Sequence, residues 1–413
     1  MPHIIRYNIL GSAQLHTYKN TQMNILLFQP HSPKIGGVDT VLLQFIELAT
    51  DIEPELHFFL IIPPGNPKLS QYRQSGIQVF EVNNLGYFTK HDSIPKIIAT
   101  FVNMPKAYRI IKRIIIENHI DLVHSHKINS FLGSLAARGA GVKVVHTYHE
   151  INTGNLIIYR LFNLLIESIV DRIIILCDAT GELISKNWRI NPKVNKVYNG
   201  INTNYFLPPQ ERKMHVRQEL SIPNHAPVVI AISRIQATKG LEYYIDAANK
   251  VIKHNDQVHF LMVGDVAEDE KESLKYKQLL IRQVVDCCID KNFHFTGIRS
   301  NVVDIYSIAN VFVLPSIFDI FPTTVLEAMA MQLPVIATKV GGVVEQVVDE
   351  QTGYLISQAD SDLLSIRIID LIENPKKSHI MGKLGRKRVI ELFSQNNYVS
   401  NTMEIYTQLL NNR

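Results

Sequence analysis

The chain has 413 residues, 46% of them apolar and 19% charged, with a formal net charge of +4. That length allows two or three domains and that apolar share can fill their cores, which excludes a mainly disordered chain. The mild basic excess does not require a nucleic-acid partner, and none is expected.

Residues 1–22 are mixed polar, carry Arg6, His16 and Lys19, and lack the apolar core of a signal peptide. They are expected to lie outside the fold, with Met23 as an alternative start. No apolar run approaches the ~18 residues that a membrane-spanning helix needs. The three cysteines, Cys177, Cys287 and Cys288, are odd in number, and two are adjacent. They form neither a disulfide framework nor a zinc spacing, and a reducing, cytoplasmic setting is expected.

Short apolar runs alternate with amphipathic stretches. Strands are expected at Ile25–Gln29, His57–Ile62, Val79–Val82, Leu122–His124, Val142–Thr147, Arg172–Leu176 and Lys196–Tyr198. The pattern resumes at Val228–Ile232, His259–Val263, Phe293–Thr296, Val311–Leu314, Val335–Ala337 and Gly353–Ile356. Such alternation predicts an α/β fold with largely parallel sheets. Asn202 to Pro227 holds Pro208-Pro209, Glu211-Arg212-Lys213 and Pro223 and is the best linker candidate. Two Rossmann-like domains facing a central cleft follow. The expected division is an extension 1–22, a first domain 23–204, a linker 205–227, a second domain 228–390 and a final helical segment 391–413.

In the first half, Ile35-Gly36-Gly37-Val38 lies between a strand and a helix, where paired glycines let backbone approach a ligand closely. Taken alone, a tight turn is the simpler reading. Further on, Lys106, Arg109, Lys112 and Arg113 lie among Ile110, Ile111, Ile114 and Ile115. Helical spacing puts Lys106, Arg109 and Arg113 near one face. A surface helix packed by its isoleucines is favoured, and peripheral contact with an anionic membrane is the alternative. Histidines gather at strand ends: His124 and His126, then His146 and His149. No Asp, Glu or Cys stands at a metal-ligand spacing from them, so no metal is expected. His124 and His146 are assigned to the core.

In the second half, Ser233-Arg234-Ile235-Gln236-Ala237-Thr238-Lys239-Gly240 follows a strand. Either cation alone reads as an ordinary surface residue. Val311 to Gln332 reads as a strand, a loop from Ile317 to Pro322, and a helix opened by Thr323 and Thr324. Free N–H groups and the helix dipole favour an anion at such a helix start. Asp319 lies in the loop and Glu327 in the first helical turns. Thr324-x-x-Glu327 is also a capping box, in which Glu327 would reach back to a backbone N–H. Asp360-Ser361-Asp362 precedes a helical pattern and reads as an N-cap rather than a metal motif.

The stretch Asp319…Glu327-Ala328-Met329-Ala330, followed by Leu333–Thr338 and Gly341-Gly342, resembles the nucleotide-sugar signature of the family-4 retaining glycosyltransferases. Arg234 and Lys239 resemble the family's pyrophosphate-binding pair, and His149 its histidine after the fifth strand. His126 is similar to a second, less specific position, and Asn199-Gly200-Ile201-Asn202 resembles the family's Asn-Gly-Val-Asp. The chain departs from the pattern at Asp319, where Glu is usual, at Ile320 and Ser233, where Gly is usual, and at Asn202. The likeness runs from Met23 over nearly the whole chain.

The resemblance implies the GT-B arrangement, with the acceptor domain first and the nucleotide-sugar domain second. The last helix would cross back onto the first domain. It also implies metal-independent transfer from a nucleoside-diphosphate sugar, by default a uridine diphosphate, with no cofactor. Arg234 and Lys239 would stabilise the departing diphosphate, and amides around Thr323, Thr324 and Val325 would add the helix N-terminus. Glu327 would hold the ribose, Asp319 the sugar hydroxyls, and His149 would complete the sugar pocket. The Gly36-Gly37 loop would close over the donor phosphates. No enzymic nucleophile stands out, which suits a front-face mechanism. The acceptor implied is a glycan or lipid-linked glycan of surface-polysaccharide synthesis, met in the cytoplasm at the inner face of the membrane. The rival readings are a nucleotide-sugar 2-epimerase of the same fold and a non-catalytic glycosyltransferase-like subunit.

Overall fold

Runs of valine, isoleucine and leucine without polar interruption suit strands covered on both faces, the condition of a parallel sheet. In the computed structural model they form two such sheets. It describes residues 23–29, 37–86, 94–126, 131–149, 156–184, 188–209, 213–266 and 271–411. The expectations for residues 1–22 and for Gly36 lie outside these residues.

The first sheet contains β1 Met23–Phe28, β2 Leu56–Ile62, β3 Gln78–Glu81, β4 Leu122–His126, β5 Lys143–Tyr148, β6 Arg172–Ile175 and β7 Val194–Lys196, in the order β3-β2-β1-β4-β5-β6-β7. The second contains β8 Val228–Ile232, β9 His259–Val263, β10 Phe293–Gly297, β11 Val311–Leu314, β12 Val335–Thr338 and β13 Gly353–Ile356, in the order β10-β9-β8-β11-β12-β13. Every pair is parallel. Each order reverses once, between β1 and β4 and between β8 and β11. Open α/β sheets bind ligands beyond the carboxyl ends of their strands at such reversals.

Alternation along the strands divides the first core. Leu26, Phe28, Val123 and Val144 face one layer of helices, which includes Ile94–Glu117 and Phe131–Ala140. Ile25, Leu27, Leu122 and Val145 face the other, formed by Gly37–Ile52 and the last helix, Gln395–Asn411. That last helix buries Tyr398, Val399, Ile405, Tyr406 and Leu409 on the first sheet. The chain makes the crossing beside Ile201, whose N–H donates to the Phe393 carbonyl at 3.0 Å and whose carbonyl accepts from Gln395 N–H at 2.9 Å. Gly200 permits this approach, because a Cβ there would stand 2.4 Å from the Ser394 carbonyl oxygen.

Most of the expected strands shift at their ends by one or two residues, and the differences at Tyr198 and in segment 205–227 have a visible cause. β7 ends at Lys196, and Tyr198 leaves the sheet to stack on Phe321 of the second domain, with ring centroids 5.4 Å apart. The segment 205–227 is not a bare linker. It carries the helix Met214–Glu219 and buries Val216, Ile222 and Ala226 in the second domain. Arg217, which reads as a solvated charge, is fully buried. Its guanidinium donates to the carbonyls of Pro223, Ala226 and Ile308 at 2.8–3.0 Å. The prolines and Lys213 of this segment stay at the surface, and it is Val216, Arg217, Ile222 and Ala226 that tie it to the second domain.

The domains meet carboxyl edge to carboxyl edge. Cys177, just past β6, donates to the carbonyl of Ile320, just past β11, at 3.6 Å. Glu345 of the second domain accepts from Asp178 N–H at 2.7 Å, from Lys196 Nζ at 2.9 Å and from the Tyr198 hydroxyl at 2.9 Å. Burial opposes the Lys196 charge, but its bonds to Asp178, Glu345 and Tyr198 outweigh that and raise its pKa. Glu345 is therefore an interdomain anchor. Glu345→Ala is expected to destabilise the folded chain by about 2 kcal/mol, the scale of lost hydrogen bonds to a charged group. Val344→Ala, at an exposed neighbour, should stay within about 0.5 kcal/mol. Urea unfolding of both variants checks this.

Candidate active site

The site is built at the reversal between β8 and β11. Beyond β8 the chain is tacked to the end of β9: Ser233 N–H donates to Val263 O and Ile235 N–H to Asp265 O, both at 3.0 Å. It then makes a short 3-10 turn, Ala237–Lys239, and closes on Gly240 in the left-handed region at φ +59°. A Cβ on Gly240 would lie 2.4 Å from the Pro315 carbonyl oxygen, so this loop rests directly on the loop after β11. The Thr238 carbonyl fixes the contact by accepting from Ile317 N–H at 2.9 Å and Phe318 N–H at 3.0 Å.

This backbone clasp places Lys239 against Asp319, with Nζ 2.5 Å from Oδ2. Both side chains are largely buried, at 15% and 14% exposure. Asp319 also accepts from the Ser316 hydroxyl at 3.3 Å and from Ile320 N–H at 3.2 Å. Arg234 stands exposed at the same edge, two residues beyond β8, with no ion-pair partner among the described residues.

The helix Thr323–Ala330 follows the Asp319 loop at once. Pro322 occupies its N-cap, and no side chain caps it. The first amides of an α-helix have no intrahelical acceptor, so Thr323, Thr324 and Val325 present N–H groups at the helix start. The capping-box reading of Glu327 fails for the same reason. Glu327 turns away and accepts from the Tyr306 hydroxyl at 2.9 Å through Oε2, and the Thr323 side chain bonds it too. Burial raises the Glu327 pKa, and these two hydrogen bonds only partly offset it.

The first domain contributes His149 from just beyond β5. It is half-buried, with Nε2 3.0 Å from His126 Nδ1. His124 and His146 are buried, and His124 is held by Tyr406 and Thr147 at 2.5 and 2.6 Å. Gly37 is the first residue of helix Gly37–Ile52, beyond β1. Among the described residues no cluster of three His, Cys, Asp or Glu side chains could hold a metal. Asp360 caps helix Ser361–Glu373 by accepting from Leu363 N–H at 2.9 Å.

Lys239 and Asp319 are thus in contact, with Arg234 on the same strand edge and the helix bearing Thr323 to Glu327 directly behind. His149 comes from the carboxyl edge of the other sheet. Sequence reasoning missed Tyr306, which holds the Glu327 carboxylate, and Glu345, which holds the two edges together. The signal available for Tyr306 was a tyrosine inside an apolar helical run, whose buried hydroxyl must find a partner.

Residues 35–205 match the family model for Glycosyltransferase Family 4, and residues 213–388 match that for Glycosyl transferases group 1. The chain belongs to the family-4 glycosyltransferases. It is 26% identical over 393 residues to the UDP-Gal:alpha-D-GlcNAc-diphosphoundecaprenol alpha-1,3-galactosyltransferase of Escherichia coli, covering 92% of this chain and 96% of that one. The D-inositol 3-phosphate glycosyltransferase of Streptomyces avermitilis is 24% identical over 405 residues, with 92% and 85% covered. A crystal structure of a glycosyltransferase from Rickettsia africae superposes with a TM-score of 0.80 at 21% identity, covering 95% of this chain and all of that one. Anabaena HepE, crystallised with UDP and glucose, gives 0.77 at 20% identity, with 93% and 99% covered. The fold of this glycosyltransferase is GT-B, and the chain is a transferase.

Burial raises Glu327 above its unfolded value, so its charged form opposes folding at pH above the folded pKa. That opposition fades as pH falls through the folded pKa and is gone below the unfolded one. Glu327→Gln should therefore raise the melting temperature of the ligand-free glycosyltransferase near neutral pH. The difference should shrink as pH falls through the carboxylate range. Calorimetric scans across pH read both effects.

Proposed function

We propose that this enzyme is a retaining glycosyltransferase that moves a sugar from a uridine-diphosphate sugar to a glycan or lipid-linked acceptor in surface-polysaccharide synthesis. The contact between Lys239 and Asp319 at the β8/β11 reversal carries the reading. It sets a cation for phosphate and a carboxylate for sugar hydroxyls side by side, in front of an uncapped helix start. The names of the Escherichia coli relative and of the Anabaena complex support uridine diphosphate as the donor's leaving group.

Negative charge grows on the diphosphate as the glycosidic bond breaks. Lys239, Arg234 and the amides of Thr323 to Val325 are preorganised to receive it. Arg234 can grip a phosphate through two N–H groups, whereas Lys239 acts as a point charge. Glu327, oriented by Tyr306, accepts from the ribose hydroxyls. Asp319 accepts from the sugar hydroxyls, and His149 covers the sugar from the first domain. No side chain is assigned as a nucleophile. The acceptor oxygen bonds to the anomeric carbon on the face the phosphate oxygen leaves, and its proton passes to that phosphate oxygen, so configuration is retained. The residues require no metal for these steps.

Lys239→Ala is expected to lower turnover by roughly 10²-fold or more, as for loss of other groups that stabilise developing charge. Transfer rates of purified variant and wild type decide it, and near-wild-type transfer by the variant would sink the assignment. Epimer formed from donor alone would favour the epimerase instead, and donor binding without turnover the non-catalytic subunit.

The reading includes peripheral contact with an anionic membrane through helix Ile94–Glu117. No described helix is long and apolar enough to cross a membrane. This one exposes Ile98, Phe101 and Val102 at 57%, 48% and 72%, with Lys106, Arg109 and Arg113 exposed further along. Exposed apolar side chains next to cations suit the headgroup boundary, where each cation adds about 1 kcal/mol. The wild type should float with vesicles containing phosphatidylglycerol at low salt, and a variant with all three cations changed to Glu should not. Equal flotation of the two, or none, would remove this part of the reading.

A further inference from the structure

The loop that carries Arg234 and Lys239 runs into a helix that cannot cap itself. Helix Leu241–His254 starts directly after Gly240, which occupies its N-cap. Glycine is required there, since a Cβ would lie 2.4 Å from the Pro315 carbonyl oxygen. The same glycine has no side chain to accept from the first helical amides, which lack intrahelical acceptors. The acceptor comes instead from a residue distant in the chain. Leu241 N–H donates to the Tyr276 hydroxyl at 2.9 Å, and that hydroxyl donates to the Glu242 carboxylate. Tyr276 lies on helix Lys271–Asp286. Burial and the Glu242 charge raise its pKa, so the phenol stays protonated and keeps its donor role.

Lys277, the next residue on that helix, serves the other end of the loop. Ile235, beside Arg234, donates its N–H to the Asp265 carbonyl at 3.0 Å. Lys277 Nζ reaches Asp265 Oδ1 at 2.7 Å, and the same oxygen accepts from Val266 N–H at 2.7 Å. The backbones touch here too, because a Cβ on Gly264 would stand 2.0 Å from the Ser233 carbonyl oxygen. Two consecutive side chains of one helix therefore hold the anchors at both ends of segment 233–240. The place of those ends matters for charge. Arg234 grips phosphate only in the right orientation, and Lys239 acts by distance. A misplacement of about 1 Å in such groups is enough to cost a large factor.

We propose that Tyr276 and Lys277 are positioning residues for the diphosphate: acting through the backbone of segment 233–240, they fix where Lys239 and Arg234 stand. The proposal rests on the glycosyltransferase reading above and adds to it two residues that touch neither phosphate nor sugar.

UDP and uridine are the probes, used on the full chain. Calorimetry reads the affinity for UDP and NMR titration that for uridine, and their ratio measures the hold on the diphosphate alone. Tyr276→Phe and Lys277→Met should each weaken UDP binding by about tenfold, the scale of one lost hydrogen bond, with uridine affinity unchanged. Lys277→Arg, which can keep the bond to Asp265, should restore UDP affinity. Leu279→Ala, at an exposed site on the same helix, should leave both affinities as in the wild type. A loss shared equally by UDP and uridine would make these residues general supports of the domain and overturn the proposal. Wild-type UDP affinity in Tyr276→Phe or in Lys277→Met overturns it as well. If Tyr276→Phe does not fold, the two Lys277 variants decide. Failure of UDP to bind the wild type overturns the donor reading, and this proposal with it.

Discussion

Lys239 and Asp319 are 80 residues apart in the chain and 2.5 Å apart in space. Their meeting depends on backbone more than on charge. The Thr238 carbonyl takes two amides from the β11 loop, and Gly240 lets the two loops touch. An ion pair this far from solvent gains little net stability, because desolvation offsets much of the attraction. Its value lies in what it holds ready. Without donor, Asp319 keeps the Lys239 ammonium at the mouth of the crevice. In the proposed reaction an arriving diphosphate would offer that ammonium a second anion and leave the carboxylate available to hydroxyls. Little rearrangement would then be needed as charge develops, the condition the proposed electrostatic role requires.

The loop that carries Asp319 also lies where the two sheets meet edge to edge. Three contacts enforce that meeting. Cys177 lies on Ile320, Tyr198 stacks on Phe321, and Glu345 gathers an amide, an ammonium and a hydroxyl from the first domain. Ile320 and Phe321 directly follow Asp319, so the loop that carries this acid is also the loop on which the first domain rests. Ile320 stands where the family pattern has glycine, and its side chain is buried in the core shared by the domains. That departure acts on the domain contact as well as on the sugar end of the site.

Much of this was legible in the sequence. The apolar runs that became β8, β9 and β11 have no polar break, and Asp319 and Glu327 flank a helix start that the sequence marks plainly. What was hidden depended on tertiary cover. Nothing local marks Arg217 as buried; the carbonyl of Ile308, at the end of a distant helix, is one of three that hold it. Glu327 fits a capping box until Tyr306, from another helix, offers a better partner. Tyr198 continues a strand pattern until Phe321 takes its ring. In each case the local rule was sound, and a group distant in the chain overruled it.

The histidines show how far period-two reasoning reaches. His124 and His126 are two residues apart on β4 and must share a face, whereas His146 and His149, three apart at the end of β5, must point to opposite faces. The structure follows: His146 approaches Ser134 in the layer below the sheet, and His149 joins His126 above it. Period alone cannot separate His124 from His126, since both lie in one row. Depth does. His124 is sealed by Tyr406 from the last helix and by Thr147. One pleat further along, His126 is equally buried, and its Nδ1 meets His149 instead. The last helix therefore does more than close the first domain's core, because its Tyr406 fixes the His124 ring while His126, one pleat on, is left to pair with His149.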